Sequence, residues 1–168
     1  MSSLPHTNTP QIRPATLDDL DGILAVQEAS SGAAQWPRAV YTEILQTGAS
    51  HASGPCRRVF CALQGDLVLG HATVTAWPMA GNIECELENL AVDPNWRRQG
   101  VGRKLMEAVF AWCREQKATQ LTLEVRQSNS AAIGLYRQLG LRTVGHRPRY
   151  YSAPEEDAVL MARPLSGT

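Results

Sequence analysis

The sequence has no charge excess of either sign: 16 Lys and Arg balance 16 Asp and Glu. That balance excludes the broad basic field of a nucleic-acid binder, so no nucleic-acid partner is expected. No apolar run approaches the ~18 residues of a membrane span. Cysteine is scarce, with Cys56, Cys61, Cys85 and Cys113 forming no CxxC pair and matching no histidine spacing. This argues against a disulfide framework and a zinc site, and no metal is expected; idle thiols in a reducing cytoplasm fit better. The stretch from Met1 to Gln11 lacks both a basic start and an apolar core, so it does not read as a signal peptide.

What is present suits one domain. A chain of 168 residues leaves little room for two independent cores. Residues 1–11 read as a loose tail and 12–165 as the domain. Ile12–Ala15 is a short edge strand, because Pro14 cannot donate to a ladder. Thr16 opens a helix with Asp18 and Asp19 in its first turn, and a second helix runs from Pro37 to about Gly48. Residues 59–63, 67–77 and 83–92 read as three antiparallel strands, joined by turns at Gln64–Asp66 and Pro78–Asn82. Helical periodicity follows from Gly100 to about Lys117. Leu121–Arg126 alternates as a strand, Asn129–Leu139 is a helix closed by Gly140, and two short strands fit 142–146 and 158–162. The pattern is a mixed α/β domain without repeats.

Two segments carry chemistry. In Ile83–Val92 the apolar residues fall on odd positions up to Leu87 and on even positions at Leu90 and Val92. That parity slip near Asn89 flips the side chains unless a β-bulge absorbs it, and a bulge frees backbone groups for a ligand. Further on, Arg97-Arg98-Gln99-Gly100-Val101-Gly102-Arg103-Lys104 places two glycines and four basic residues where a strand gives way to a helix. Glycine permits close backbone approach, and a helix N-terminus offers N–H donors to phosphate. The stretch is neither a P-loop nor a full GxGxxG fingerprint, and a solvated basic loop would look the same.

These residues resemble the acyl-CoA signature Q/R-x-x-G-x-G/A of the GNAT superfamily of N-acetyltransferases, filled here by Arg97, Gly100 and Gly102. Leu123-Glu124-Val125-Arg126, Asn129 through Leu135-Tyr136, Arg149-Tyr150-Tyr151 and Glu156-Asp157-Ala158 are similar to RimI-type ribosomal-protein alanine N-acetyltransferases. The similarity covers residues 83–163, roughly half of the chain; the first half matches only loosely, through Ile12–Thr16 and Trp36-Pro37.

The resemblance implies a GNAT fold, with a mixed, mostly antiparallel sheet of six to seven strands, a bulged central strand and about four flanking helices. It implies acetyl-CoA as acetyl donor and a protein N-terminus as acceptor, the N-terminal alanine of the eighteenth protein of the small ribosomal subunit. Glu124 would be the general base and Tyr136 the general acid. Leu90, Ala91 and Val92 would hold the acetyl group and pantetheine. Arg97, Arg98, Gln99, Gly100, Val101, Gly102 and Arg103 would hold the pyrophosphate, and Asn129 would also contact CoA. Trp36, Glu88, Tyr150 and Tyr151 are candidate acceptor contacts.

Other readings of the same residues stay open. Glu84, Glu86 and Glu88 are rival bases or ammonium ligands, and Tyr136 is equally a half-buried core aromatic. His71 and His146 read as core or edge residues. The same fold also acetylates lysines or small amines, and a non-catalytic acyl-CoA sensor would share the donor site.

Overall fold

The computed structural model describes residues 9–47 and 54–165. Residues 1–8 of the expected tail and 51–53 of the polar loop before β2 lie outside them. Seven strands and four helices follow in the order β1 (Gln11–Pro14), α1 (Leu20–Ala29), α2 (Arg38–Thr47), β2 (Cys56–Gln64), β3 (Leu67–Met79), β4 (Asn82–Val92), α3 (Val101–Glu115), β5 (Gln120–Arg126), α4 (Ser130–Gln138), β6 (Arg142–Ser152) and β7 (Glu155–Pro164). The first strand begins at Gln11, which pairs with Leu63, and Pro14 is tolerated because β1 lies at the sheet edge. Among the described residues, no helix is long and apolar enough to cross a membrane.

The strands form one sheet in the order β1-β2-β3-β4-β5-β7-β6. β4 and β5 run parallel, because α3 carries the chain back across the sheet between them. The remaining neighbours are antiparallel. Gly65 (φ 59°) and Gly81 (φ 87°) take the left-handed conformation at the tips of the β2–β3 and β3–β4 hairpins. The second turn is tighter than the sequence suggests: Pro78 and Met79 pair with Ile83 and Asn82, leaving Ala80–Gly81 as the connection.

Each face of the sheet buries its own cluster. Leu105, Met106, Val109 and Phe110 of α3 and Ile133 and Tyr136 of α4 cover one face. Ile23 and Val26 of α1 and Tyr41 and Ile44 of α2 cover the other. Thr16 and Asp19 open α1, the Thr16 N–H donating to the Asp19 carboxylate at 2.7 Å. Arg13 grips the same carboxylate at 2.7 and 2.9 Å, fastening β1 to the helix start.

The bulge is present. Thr73 opposes Asn89 while the next residue, Val74, opposes Leu87, so Glu88 is the extra residue on β4. The faces switch there: Cys85 and Leu87 belong to the α3 side, and beyond Glu88 it is Leu90 and Val92 that pack there. Ala91 turns to the α1–α2 side. The sequence pattern located this irregularity to within one residue.

Candidate active site

The bulge opens the sheet. β4 pairs with β5 only over Glu84–Leu87 and Gln120–Leu123, so beyond those residues the two strands part. Asp93 N–H donates to the Leu69 carbonyl at 2.9 Å. By the alternation of an antiparallel ladder, the backbone groups of Asn89 and Ala91 then also face β3, and those of Leu90 and Val92 face the opening. The Val92 carbonyl is taken up by Arg97 Nε at 3.1 Å and Ser30 Oγ at 3.2 Å. The Val92 N–H and both backbone groups of Leu90 point into the cleft. Ala91, expected with them, is placed otherwise: its backbone faces β3 and its side chain is buried.

At one end of the cleft stands the first turn of α3. Its Val101, Gly102 and Arg103 N–H groups have no intrahelical acceptor. Gly100 has φ 80°, and a Cβ placed there would meet nothing within 4 Å, so the backbone is bare and approachable. Gly102 has a different reason: a Cβ there would sit 3.2 Å from Leu135 Cδ2, so this glycine lets α3 approach α4. The basic side chains divide in the same way. Arg97 folds back on β4, Arg103 donates to Gln138 Oε1 at 2.9 Å, and Gln99 donates to the Asn95 carbonyl at 3.2 Å. Arg98 and Lys104 have no hydrogen-bond or ion-pair partner among the described residues, and remain for an anion. Val101 contributes its N–H, since its side chain is buried. Asn129 is the N-cap of α4, accepting from Ala132 N–H at 3.2 Å. This bare glycine turn with free N–H groups fits a pyrophosphate.

The opposite face of the opening is carboxylate-rich. Leu123 and Val125 are buried against α3 and α4, so Glu124 projects the other way. Arg147 Nε lies 2.8 Å from Glu124 Oε1, and the Tyr150 hydroxyl donates to the same carboxylate. Glu88 is held by Arg57, 2.7 Å away, and by the Thr75 hydroxyl at 2.8 Å. Glu86 lies between them with no cation at ion-pair distance among the described residues. Burial raises its carboxyl above the ordinary value, and the charges of Glu88 and Glu124 raise it further, against a hydrogen bond from Trp77.

Aromatic rings wall this face. Arg57 lies 5.7 Å from the Trp36 ring centroid and Arg126 lies 4.2 Å from that of Tyr151. Tyr150 and Tyr151 meet edge to face at 5.1 Å, and Tyr150 is half exposed. Tyr136 is buried on α4. Burial raises its hydroxyl well above the ordinary tyrosine value, with a further push from Tyr151. Trp36, Glu88, Tyr150 and Tyr151 therefore share the face of Glu124, while Tyr136 belongs to the opposite side of the sheet. His71 is fully buried in the core, and His146 is exposed on β6. The sequence reading missed Arg57, Thr75 and Arg147. Each meets its carboxylate only through strand pairing, so no local spacing announced it.

Residues 22–141 match the acetyltransferase (GNAT) family. The chain belongs to this family and is an N-acetyltransferase. It is 36% identical over 126 residues to a ribosomal protein bS18-alanine N-acetyltransferase of Escherichia coli, covering 70% of this chain and 85% of that one. With the N-alpha-acetyltransferase RimI of Mycobacterium tuberculosis it shares 32% over 128 residues, 76% of this chain and 75% of the relative. The crystal structure of the Escherichia coli ribosomal-protein-S18-alanine N-acetyltransferase superposes with a TM-score of 0.74 at 28% identity, covering 95% and 96% of the two chains.

Proposed function

We propose that this protein transfers acetyl from acetyl-CoA to the α-amine of a protein N-terminus, in the cytoplasm, and that the acceptor is the N-terminal alanine of the eighteenth protein of the small ribosomal subunit. The domain doing so spans residues 12–165. The observation that carries this reading is the opening between β4 and β5, with free backbone groups of Leu90 and Val92 on one wall, the bare α3 N-terminus at its end and Glu124 on its rim. The names of the relatives supply the acceptor.

The chemistry asks little of the protein beyond position and proton traffic. An α-amine with pKa near ~8 is mostly protonated at neutral pH and must lose a proton before it attacks a thioester. Glu124, steadied by Arg147 and Tyr150, accepts that proton. Glu86 lends negative charge to the approaching ammonium group. The Val92 N–H donates to the carbonyl oxygen as charge grows on it. Tyr136, whose burial keeps it protonated, supplies the proton to the departing thiolate. Leu90 aligns the pantetheine along the strand edge, while the Gly100 turn, the N–H groups of Val101, Gly102 and Arg103 and the side chain of Arg98 hold the pyrophosphate. Trp36, Tyr150 and Tyr151 shape the acceptor entrance.

The test is acetyl transfer to a peptide panel, with the modified position assigned by mass spectrometry. A free N-terminal alanine peptide should be acetylated at its α-amine, and a blocked peptide with internal lysines should not. Acetylated lysines or polyamines would overturn the acceptor. Acetyl-CoA binding without transfer to anything would overturn the enzymatic role proposed for Glu124 and Tyr136.

A further inference from the structure

In the sequence, Asn89 marks the place where the apolar parity of Ile83–Val92 slips. In the structure it is buried directly after the bulged Glu88, and its amide is the first link of a continuous chain of hydrogen bonds. Nδ2 donates to the Ala34 carbonyl at 3.1 Å and to the Tyr41 hydroxyl at 3.0 Å. Because a carbonyl can only accept, the Ala34 contact fixes the orientation of the amide. The Tyr41 hydroxyl donates in turn to Gln27 Oε1 at 3.1 Å. Gln27 then clasps the backbone of Trp36 from both sides: its Nε2 donates to the Trp36 carbonyl at 2.9 Å, and the Trp36 N–H donates to its Oε1 at 2.9 Å.

Three features make this chain more than packing. Asn89, Tyr41 and Gln27 are all buried, so water does not compete for their bonds, and each partner enforces the polarity of the next. Asn89 Oδ1 has no partner among the described residues. A buried acceptor left unmet opposes folding, and an apolar side chain would avoid that cost; what this residue contributes is its two donors. The far end of the chain is also specific. It fastens the loop between α1 and α2 at the residue whose ring packs, tilted, 5.5 Å from that of Tyr41 and lies under Arg57, and Arg57 in turn holds the bulged Glu88. The circuit closes on the bulge where it began.

We propose that Asn89 is a positioning residue. Through Tyr41 and Gln27 it sets the Trp36 loop, the acceptor wall, in register with the bulge that presents the acetyl donor. The role in acceptor binding rests on the reading of Trp36 given above. Asn89 touches neither substrate, and its backbone faces β3 rather than the cleft.

The test compares Tyr41→Phe, which removes one hydroxyl and leaves the ring, with Asn89→Asp, which keeps the shape and removes both donors. Three quantities are read: hydrogen exchange at the Trp36 amide, the KM for a free N-terminal alanine peptide, and the dissociation constant of acetyl-CoA. Both variants should exchange the Trp36 amide about tenfold faster. They should raise the peptide KM about tenfold, with acetyl-CoA affinity within about twofold of the parent. Trp36→Ala should raise KM similarly, and combining it with Tyr41→Phe should add nothing, since both act through one wall. Unchanged exchange in both variants overturns the proposal. So does faster exchange with an unaltered peptide KM, or losses that multiply in the double variant. Should the parent protein acetylate no α-amine, the functional reading fails instead, and the Trp36 exchange rates still decide whether Asn89 fastens the loop.

Discussion

Arg147 Nε lies 2.8 Å from Glu124 Oε1, joining β6 to the carboxylate on the rim of the β4–β5 opening. The pair is partly exposed, with 57% and 19% of the two side chains accessible, so it contributes orientation more than stability. Glu124→Gln is therefore expected to lower kcat by about 10²–10⁴-fold while acetyl-CoA binding and the melting temperature stay close to the parent. Arg147→Met leaves the carboxylate but not its placement, and should cost roughly tenfold in kcat/KM. Steady-state kinetics with a free N-terminal alanine peptide, beside calorimetric acetyl-CoA titration, separates the two effects.

Glu86 stands between two carboxylates that each have an arginine, and has none itself. Its carboxyl is raised first by burial and then by Glu88 and Glu124. A raised carboxyl ionises later in the folded chain than in the unfolded one, so the native state loses stability as pH climbs past the unfolded value. Glu86→Gln should thus match the parent near pH 3 and exceed it by about 0.2–1 kcal/mol at pH 7. Urea unfolding of both proteins across that range reads the difference. A glutamine variant less stable than the parent at neutral pH would contradict the assignment. The same variant should also raise the KM for the amine acceptor if Glu86 draws in the ammonium group.

His71 shows a second, opposite pH dependence. It is fully buried, its ring edge to face with Tyr41 at 5.7 Å, and both ring nitrogens are unpartnered among the described residues. Burial lowers its pKa from about 6.5 to about 4. Between those values the unfolded chain binds a proton that the folded chain refuses. Stability should fall as pH drops below about 6.5 and finish falling near 4, by at most roughly 3 kcal/mol. His71→Leu should flatten that part of the stability curve. An undiminished slope in the variant would place the acid sensitivity elsewhere, for example at Asp19. Burial alone would raise that carboxyl, but Arg13 and Thr16 hold it below the ordinary range.

Much of this architecture was legible in the chain itself. Alternation along 121–126, the helical period after Gly100 and the turn glycines gave the elements, because each signal is local. The parity slip in β4 even located the bulge. Legibility ended where function depends on pairing across strands. Arg57 reaches Glu88 from β2, and Arg147 reaches Glu124 from β6. Neither meeting is encoded in spacing. The network from Asn89 to Trp36 was hidden for the same reason, since its members are spread over α1, the following loop, α2 and β4. The basic run at 97–104 misled in one respect: its residues look equivalent in sequence, yet Arg97 and Arg103 are spent on Val92 and Gln138.

The two glycines of that run make a sharper test. At Gly100 φ is 80°, so Gly100→Ala should cost about 1–2 kcal/mol of stability through backbone strain alone. It should also weaken acetyl-CoA binding by tilting the first-turn N–H groups. At Gly102 the backbone is helical and the obstacle is Leu135 Cδ2, 3.2 Å from the added Cβ. Alanine gains up to about 1 kcal/mol of helix propensity there, which offsets the few tenths of an ångström by which Leu135 must yield. Gly102→Ala should therefore melt close to the parent and bind acetyl-CoA with little change. Thermal melts and acetyl-CoA titrations of the two variants decide the matter. If Gly102→Ala abolished binding while Gly100→Ala did not, the approach to phosphate would belong to Gly102, and the division of labour between the two glycines would be reversed.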